Sequence, residues 1–495
     1  MEQKPTPELN TDQEALERKK AEAKQRSKQF RNKVMAITWF FVTIFIVMSG
    51  YISFYTLANE QELTENPFNG IQQILMEQNT RGRIYASGGE ILAETKTDNN
   101  GRETRVYPYG NTFAHIVGYA THGRAGIEAD MNFFLIQSNI PLNHKAHNGE
   151  LNRKNAGDSV HTTLRVDLQE VASKAMGVYR GAIIVTEPDT GKILAMVSKP
   201  DFVPADIPEK WDYLVQSTES SILLNRVTQG LYPPGSTFKI VTALEYIRRN
   251  NYDIATYKYN CTGHFTANGI RINCFRGSKH GNVDFTVSFA KSCNASFANI
   301  GATLDELEFR KTLTELLFDE SLPYTLPFNR SRVVLDNTTT GAEMMQITIG
   351  QGKTQVTPLH LHMITSAIAN QGNLQQPYLY EYVASENGNL IKRFGSGTTK
   401  KLMSENEAKA LRELMESVVE SGTATRLRGL GYTAAGKTGS AEFGSVKGES
   451  HAWFTGYAPA DNPQIAVTII IEGAGTGGDY AVPIAKRIFD AYFIQ

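Results

Sequence analysis

An apolar segment without a charged side chain runs from Val34 to Leu57. A helix needs about 20 apolar residues to cross a bilayer, so the segment predicts a membrane-spanning helix. No small-residue cleavage pattern follows Leu57, which favours an uncleaved anchor. Eight Lys and Arg residues stand in 18–33 against one acid, Glu22. We therefore expect residues 1–33 to form a cytoplasmic basic tail, 34–57 the anchor, and the rest to lie outside the membrane.

Apolar runs at both ends of the remaining chain predict strands. Residues 181–186 and 192–198 flank a Glu-Pro-Asp-Thr-Gly turn, which indicates a hairpin. Further candidates lie near the C-terminus: strands at 435–442, 452–458 and 464–472, then a helix at 480–493. The segment 212–420 between the two sets has mostly helical patterning. Strands from both ends around a helical middle predict an α+β domain with one antiparallel sheet and helices packed on it.

The chain is long enough for two or three domains, at 495 residues. Residues 58–155 have short strand-like pieces broken by Asn-rich and Gly-rich stretches, and we interpret them as a small mixed domain. The larger domain is predicted to cover 156–495. Over the whole chain, 41% of the residues are hydrophobic and 20% are charged, which is ordinary for a globular protein. The net charge of −1 gives no reason to expect nucleic acid as a partner.

The chain has three cysteines, Cys261, Cys274 and Cys293. Outside the membrane, Cys261 and Cys274 could form a disulfide and leave Cys293 free. Isolated small core residues are an equally good interpretation. The Cys and His residues do not have a spacing typical of metal ligands, so we expect no metal and no cofactor.

The most distinctive polar pattern is Tyr232-Pro-Pro-Gly-Ser-Thr-Phe-Lys239. Pro-Pro-Gly predicts the start of a helix, in which Ser236 and Lys239 are one turn apart. A serine hydroxyl needs a base to become a nucleophile, and a lysine with a lowered pKa can be that base. The spacing alone is weak evidence, because Ser288 and Lys291 repeat it without the Pro-Pro-Gly context. We interpret that second pair as an ordinary pair on a helix surface.

A hydroxyl and an amide follow at Ser292-Cys-Asn294. Ser292 could relay a proton, and Asn294 could hold Lys239 and a substrate amide. Two similar patterns begin at Ser385 and Ser404. We interpret the first as part of a turn and the second as the N-cap of a helix over 405–420.

The third element, Lys437-Thr438-Gly439, occurs once and continues into Ser440. On a strand, Thr438 and Ser440 face the same side and could bind a substrate carboxylate. Lys437 would add positive charge and lower the pKa of Lys239. Gly439 would let a substrate backbone approach closely. The order of the three elements and their contexts are typical of β-lactamases and penicillin-binding proteins.

On these motifs the chain resembles the class B, or monofunctional, penicillin-binding proteins. Gly191-Lys-Ile-Leu-Ala-Met-Val197 and Ala452-Trp-Phe-Thr-Gly456 match family landmarks in the larger domain. Arg81-Gly-Arg-Ile84 and Gly126-Ile-Glu128 resemble the pedestal, or dimerisation, domain over 58–155, although Tyr85-Ala-Ser87 departs from the usual pattern. The resemblance implies a penicilloyl-serine transferase fold, with a five-stranded antiparallel sheet flanked by helices. The smaller domain leaves no room for a glycosyltransferase.

The resemblance also implies roles for the site residues. Ser236 would attack the D-Ala-D-Ala carbonyl of a peptidoglycan stem peptide, with Lys239 as base and Ser292 as proton relay. The backbone N–H groups of Ser236 and Ser440 would form the oxyanion hole. β-Lactams would trap the acyl-enzyme. A separate polytopic glycan polymerase is the expected partner.

Three other functions are compatible with parts of this pattern. A β-lactamase or β-lactam sensor shares the motifs but needs a group that activates water, and no candidate stands out. A scaffold with a dead site is disfavoured because all three motifs are complete. A serine–histidine hydrolase lacks its Gly-x-Ser-x-Gly turn. The histidines His264, His280 and His451 are interpreted as loop or surface residues, of which His280 and His451 could line the cleft.

Overall fold

The computed structural model describes residues 8–59, 70–216, 221–395, 397–443 and 449–494. The chain divides into two compact units, residues 1–73 and 74–495. The first unit contains the helix Glu8–Ala58, which includes both the basic segment and the predicted anchor. Among the described residues, one helical stretch, Gln13–Ala58, is long and apolar enough to cross a membrane, and its apolar window is not buried. The prediction of one N-terminal apolar helix is confirmed.

A five-stranded antiparallel sheet forms the centre of the second unit, among the residues that the structure describes. In spatial order its strands are Ala435–Glu442, Ser450–Ala458, Ile465–Ile471, Gly181–Thr186 and Ile193–Lys199. All five strands predicted from the sequence are present, and the predicted sheet is confirmed. Ala435–Glu442 lies at one edge of the sheet, and this strand is called the edge strand below.

Buried apolar helices pack against this sheet. Two helices, Val166–Met176 and Val482–Phe493, contact each other and the sheet. A third helix, Pro358–Ala369, also contacts the sheet, and all of its residues are buried. The other helices described in residues 70–494 are Gly70–Gln78, Ala114–Val117, Gly126–Asp130, Asn132–Ile136, Leu142–Glu150, Ile207–Gln216, Lys239–Arg249, Phe285–Ala290, Asn294–Gly301, Glu306–Glu315, Gly341–Ile347 and Glu405–Glu420.

A second sheet lies in the pedestal region. Its strands, in spatial order, are Leu390–Arg393, Tyr380–Ala384, Ser159–Thr162, Ile84–Tyr85, Ile91–Thr97 and Glu103–Val106. Tyr380–Ala384 pairs with Ser159–Thr162, so chain from within the segment 212–420 completes this sheet. The sheet therefore continues past the boundary predicted at residues 155 and 156.

Strands also occur elsewhere in the segment that was predicted to be mostly helical. Lys258–Cys261 pairs with Gly281–Asp284, and His264–Ala267 pairs with Ile270–Asn273. The remaining short pairs are Asn79–Thr80 with Asn155–Ala156 and Asn373–Gln375 with Thr399–Lys401. The spacing of apolar residues that indicated helices gives no sign of these strand pairs.

Candidate active site

A short turn presents Ser236 at the start of a buried helix. The Pro-Pro-Gly sequence leads into a 3₁₀ turn, Gly235–Phe238, called the nucleophile turn, and the α-helix Lys239–Arg249 follows. Gly235 has φ of 53°, and a Cβ there would lie 2.8 Å from the Ser440 carbonyl oxygen, so glycine is required. Side chains three apart align in a 3₁₀ turn, which places Ser236 and Lys239 on one side. The predicted helix start is confirmed.

Lys239 lies fully buried behind the nucleophile turn. Its ammonium donates to the Ser292 carbonyl oxygen at 2.7 Å, to Asn294 Oδ1 at 2.7 Å and to Ser292 Oγ at 3.3 Å. Burial lowers the pKa of Lys239 to about 8. A lysine in this environment loses its proton near pH 8, which makes a neutral amine available as a general base.

Ser292, Cys293 and Asn294 form the catalytic loop between the helices Phe285–Ala290 and Asn294–Gly301. Ser292 has φ of 56°, a left-handed conformation that costs a non-glycine residue about 1–3 kcal/mol. The neighbouring backbone holds this geometry, since the Cys293 N–H donates to the Ser288 carbonyl oxygen at 2.9 Å. Cys293 also caps the second helix, because its sulfur accepts from the Ser296 N–H.

Lys437 on the edge strand contacts the same serine from the other side. Its ammonium donates to Ser292 Oγ at 3.0 Å and to the Thr438 carbonyl oxygen at 2.9 Å. Burial and the nearby Lys239 charge hold the pKa of Lys437 well below its ordinary value. The sequence suggested that Lys437 lowers the pKa of Lys239. In the structure, burial is the leading cause of the lowered pKa of Lys239.

The rest of the edge strand lines the nucleophile turn. Thr438 is buried, and its hydroxyl is 2.5 Å from the Thr423 hydroxyl, while Ser440 is half-buried. A Cβ on Gly439 would lie 3.0 Å from the Pro234 carbonyl oxygen. A side chain at Gly439 would therefore crowd the nucleophile turn, a reason for glycine that the sequence did not suggest.

The repeated sequence patterns have other partners. Ser288 is fully buried and accepts from the Ser296 hydroxyl at 2.8 Å, while Lys291 donates to the Ser421 carbonyl oxygen. The interpretation of Ser288 as a helix-surface residue was wrong, because its helix packs against neighbours on that side. Ser404 caps Glu405–Glu420 with a reciprocal bond to Glu407, so its prediction as an N-cap is confirmed.

Aromatic residues that sequence reasoning missed lie next to the two ammonium groups. Lys239 Nζ is 5.3 Å from the centroid of Phe297, and Lys437 Nζ is 5.6 Å from that of Phe289. Rings at this distance stabilise a cation while they exclude water. In the sequence, both phenylalanines look like ordinary core residues of their helices.

The interpretation of the three histidines as loop or surface residues was wrong for His451, which is buried on an inner strand of the sheet. His451 lies on the strand next to the edge strand, stacks on Phe443 at 4.0 Å and accepts from the Gly473 N–H at 3.2 Å. His280 contacts the sulfur of Cys261 at 3.4 Å. Burial lowers the pKa of His451 to about 4. His451 is therefore neutral at physiological pH.

A polar anchor fixes the loop that precedes the nucleophile turn. Arg226 Nε donates to Glu472 Oε1 at 2.8 Å, and the Tyr232 hydroxyl donates to the same oxygen at 2.8 Å. Glu472 directly follows the central strand Ile465–Ile471. Two contacts therefore connect the nucleophile turn to the sheet. One is the pair of hydrogen bonds to Glu472, and the other is the packing of the turn against the edge strand.

Comparison with known proteins gives two family matches. Residues 181–490 match the penicillin binding protein transpeptidase domain, and residues 81–160 match the penicillin binding protein A dimerisation domain. The peptidoglycan D,D-transpeptidase PbpA of Mycolicibacterium smegmatis is 31% identical over 456 residues, which cover 85% of this chain and 91% of the relative.

Solved structures agree with these matches. The ceftriaxone acyl-enzyme of penicillin-binding protein A from M. tuberculosis has a TM-score of 0.77 and 27% identity, covering 85% of this chain and 100% of that one. The D,D-transpeptidase domain of a peptidoglycan glycosyltransferase from Eggerthella lenta has a TM-score of 0.75 and 27% identity, covering 84% and 98%.

Proposed function

The chain belongs to the penicillin-binding protein transpeptidase family, and on that premise we propose how its residues share the reaction. It is a serine-type D,D-transpeptidase that cross-links peptidoglycan stem peptides ending in D-Ala-D-Ala and is acylated by β-lactams. The observation that carries the assignment of roles is the hydrogen-bonded chain from Lys239, one turn after Ser236, through Ser292 to Lys437.

Ser236 is the nucleophile and Lys239 its base. The Ser236 oxygen attacks the carbonyl carbon of the penultimate D-Ala while its proton passes to the neutral Lys239 amine. The peptide C–N bond breaks, the proton goes to the departing amine, and terminal D-Ala leaves. An amine of a neighbouring stem peptide then attacks the ester, and Ser236 takes back a proton. The lowered pKa of Lys239 supports this role, because a large neutral fraction exists near pH 8.

Ser292 relays protons and Asn294 orients the base. The Ser292 hydroxyl lies within hydrogen-bond reach of both ammonium groups, so a proton can move to the leaving amine without a large rearrangement. The Asn294 amide oxygen fixes the Lys239 side chain, which leaves the amide nitrogen for the backbone oxygen of Asn273. The substrate-amide contact suggested for Asn294 would therefore have to displace that bond.

The edge strand binds the substrate terminus. Thr438 and Ser440 supply hydroxyl groups for the D-Ala carboxylate, and Lys437 supplies positive potential. Gly439 brings the strand against the nucleophile turn. The N–H groups of Ser236 and Ser440 form the oxyanion hole, where one such donor is worth about 3–4 kcal/mol. The approach of Gly235 to Ser440 supports this pairing.

The placement of the enzyme follows from its charge pattern. Residues 1–33 form a cytoplasmic tail, 34–57 the anchor, 58–155 the pedestal and 156–495 the transpeptidase domain. Eight basic residues before the anchor support this orientation, with the catalytic domain outside. From the family resemblance, we propose that its partner is a separate polytopic glycan polymerase in the same membrane.

An exchange assay tests the assigned roles. The full-length enzyme in detergent is given a stem pentapeptide thioester donor and a fluorescent D-amino acid acceptor. We expect an acceptor-dependent product with the wild-type enzyme and none with Ser236→Ala. Release of the donor by water alone, with no product at saturating acceptor, would contradict transpeptidation by this site.

A further inference from the structure

Four potential metal ligands from distant parts of the sequence meet next to the catalytic loop. Cys261, Cys274, His280 and Cys293 each place one ligand atom within 4.8 Å of the others. Cys261 Sγ is 3.6 Å from Cys274 Sγ and 3.4 Å from His280 Nδ1, and Cys274 Sγ is 3.7 Å from Cys293 Sγ. The residue spacing did not indicate a metal site, because Cys274 follows Cys261 by 13 positions, far beyond a short Cys-x-x-Cys spacing.

These distances fit the edges of a zinc coordination tetrahedron. With Zn–S bonds of about 2.3 Å and Zn–N bonds of about 2.0–2.1 Å, two sulfurs are about 3.8 Å apart and a sulfur and a nitrogen about 3.6 Å. A disulfide instead requires about 2.05 Å between sulfurs. The three measured separations therefore match four ligands around one ion better than any pairing of two cysteines.

The surroundings of the sulfurs favour bound thiolates. The three cysteines are buried, and two backbone N–H groups point at them: Ala295 donates to Cys274 Sγ at 3.4 Å and Ser296 to Cys293 Sγ at 3.4 Å. Donors of this kind orient and stabilise metal-bound sulfur. Three thiolates and one imidazole form a closed set of the kind found at structural zinc sites.

We propose that Cys261, Cys274, Cys293 and His280 Nδ1 bind one zinc ion. The ion joins the two small strand pairs of residues 258–284 to the catalytic loop. Cys261 ends the strand Lys258–Cys261, Cys274 directly follows the strand Ile270–Asn273, and Cys293 lies in the catalytic loop itself. The site is closed by protein ligands, so its role is to hold structure and not to activate water.

The zinc ion positions the base of the transpeptidase reaction, an inference that rests on the roles proposed for Ser292 and Asn294. Cys293 stands between these two residues, and its N–H bond to the Ser288 carbonyl oxygen holds the left-handed backbone of Ser292. Asn294 Nδ2 donates to the Asn273 carbonyl oxygen at 3.1 Å, next to Cys274. Fixing Cys274 and Cys293 on one ion therefore fixes the two groups that hold Lys239.

Metal content and thiol content of the full-length, detergent-solubilised protein test the site directly. After dialysis against EDTA without reductant, we expect about one zinc ion per chain by mass spectrometry of metals. After denaturation, all three cysteines of the chain should react with a thiol reagent. A protein without zinc, whether with paired or with free cysteines, would overturn the proposal, and so would another metal at that stoichiometry.

Variants at two histidines of the same region provide a matched comparison. His280→Gln should lose zinc to EDTA, whereas His280→Cys should retain it with four thiolates. His264→Gln is the control, because His264 lies on the adjacent hairpin outside the cluster. Zinc retention by His280→Gln equal to that of the wild type would contradict the ligand assignment, even if that variant folds poorly, since metal content is measured per chain.

Acylation kinetics then separate the zinc site from the catalytic proposal. Loss of zinc in His280→Gln should lower the rate constant of acylation by benzylpenicillin ~10–100-fold, with little change in the dissociation constant of the initial complex. His264→Gln should keep the wild-type rate, and His280→Cys should be acylated faster than His280→Gln because it retains zinc. Zinc-dependent binding without any change in acylation would refute the positioning role alone, whereas an inactive but zinc-loaded wild type would refute the catalytic roles.

Discussion

Two regions of the second unit each bury a pair of cations, but they compensate the charge differently. In the pedestal region, Glu128 lies between Arg81 and Arg105, with Nε–Oε distances of 2.6 and 2.7 Å. In the active site, Ser292 lies between Lys239 and Lys437 at 3.3 and 3.0 Å. Within the described ranges, neither lysine has an ion pair with a carboxylate.

The pKa directions record the consequence of this difference. Burial alone would raise the pKa of Glu128, but its attraction to Arg81 and Arg105 outweighs burial and the pKa is lowered. Both lysines instead have lowered pKa values, because burial disfavours their charged form and the Lys239 charge further lowers the pKa of Lys437. Removing one partner of the pedestal pairs would leave buried charge uncompensated, whereas the unpaired like charges of the active site create groups whose pKa is shifted, as catalysis needs.

Removing the base should have the largest effect. We expect Lys239→Ala to lower the rate constant of benzylpenicillin acylation about 10³-fold, within the range for a lost general base. Lys291→Ala is the matched control, because Lys291 stands in the repeated Ser-x-x-Lys pattern but donates to the Ser421 carbonyl oxygen. Stopped-flow fluorescence gives both rates. Equal rates in the wild type and Lys239→Ala, or a loss in Lys291→Ala, would contradict the distinction between the two patterns.

Removing the pedestal carboxylate should affect stability and leave chemistry intact. Glu128→Gln leaves two buried guanidinium groups without their partner and should cost about 3–5 kcal/mol of unfolding free energy. Glu386→Gln, at the exposed partner of Arg83, should cost less than about 1 kcal/mol. Urea unfolding measures both. A slowed acylation rate in folded Glu128→Gln would show that the two buried clusters are not separate in function.

Adding a carboxylate next to Lys239 would give the active site the kind of ion pairing that Glu128 provides in the pedestal region. Lys239 acts as a base only when neutral, so the acylation rate should rise with pH and level off above about 8. Asn294→Asp places an anion at 2.7 Å from the ammonium, which raises the pKa of Lys239 and moves the rise to higher pH. We expect a loss of ~10-fold or more at pH 7, because less of the amine is then neutral, and partial recovery at pH 10. Equal pH profiles would refute Lys239 as the titrating base.

The sequence predicted the parts of this molecule that depend on local patterns. The five strands followed from short apolar runs and turns, and the nucleophile turn followed from Pro-Pro-Gly. Tyr380–Ala384 was missed because its partner, Ser159–Thr162, lies more than 200 positions away in the chain. Pairing at such separation leaves no local period to detect.

The candidate site also has features that the sequence predicted and features that it did not. Ser236, Lys239, Ser292, Asn294 and Lys437 were predicted together from motif order. In the structure, hydrogen bonds join Lys239, Ser292, Asn294 and Lys437, and Ser236 lies one turn before Lys239. The cause of the low pKa of Lys239 was not predictable, because the burial that lowers it depends on how distant parts of the chain pack around the side chain. The cysteine cluster was missed for the same reason, as its four residues meet only in the folded chain.

The most direct test of the account is the identity of the acylated residue. The full-length enzyme is treated with benzylpenicillin, digested, and analysed by peptide mass spectrometry, with Ser236→Ala and Ser288→Ala in parallel. We predict a long-lived penicilloyl ester on Ser236 in the wild type and in Ser288→Ala, and no adduct in Ser236→Ala. An adduct on another serine, or rapid multiple-turnover hydrolysis of penicillin without a stable adduct, would contradict the account.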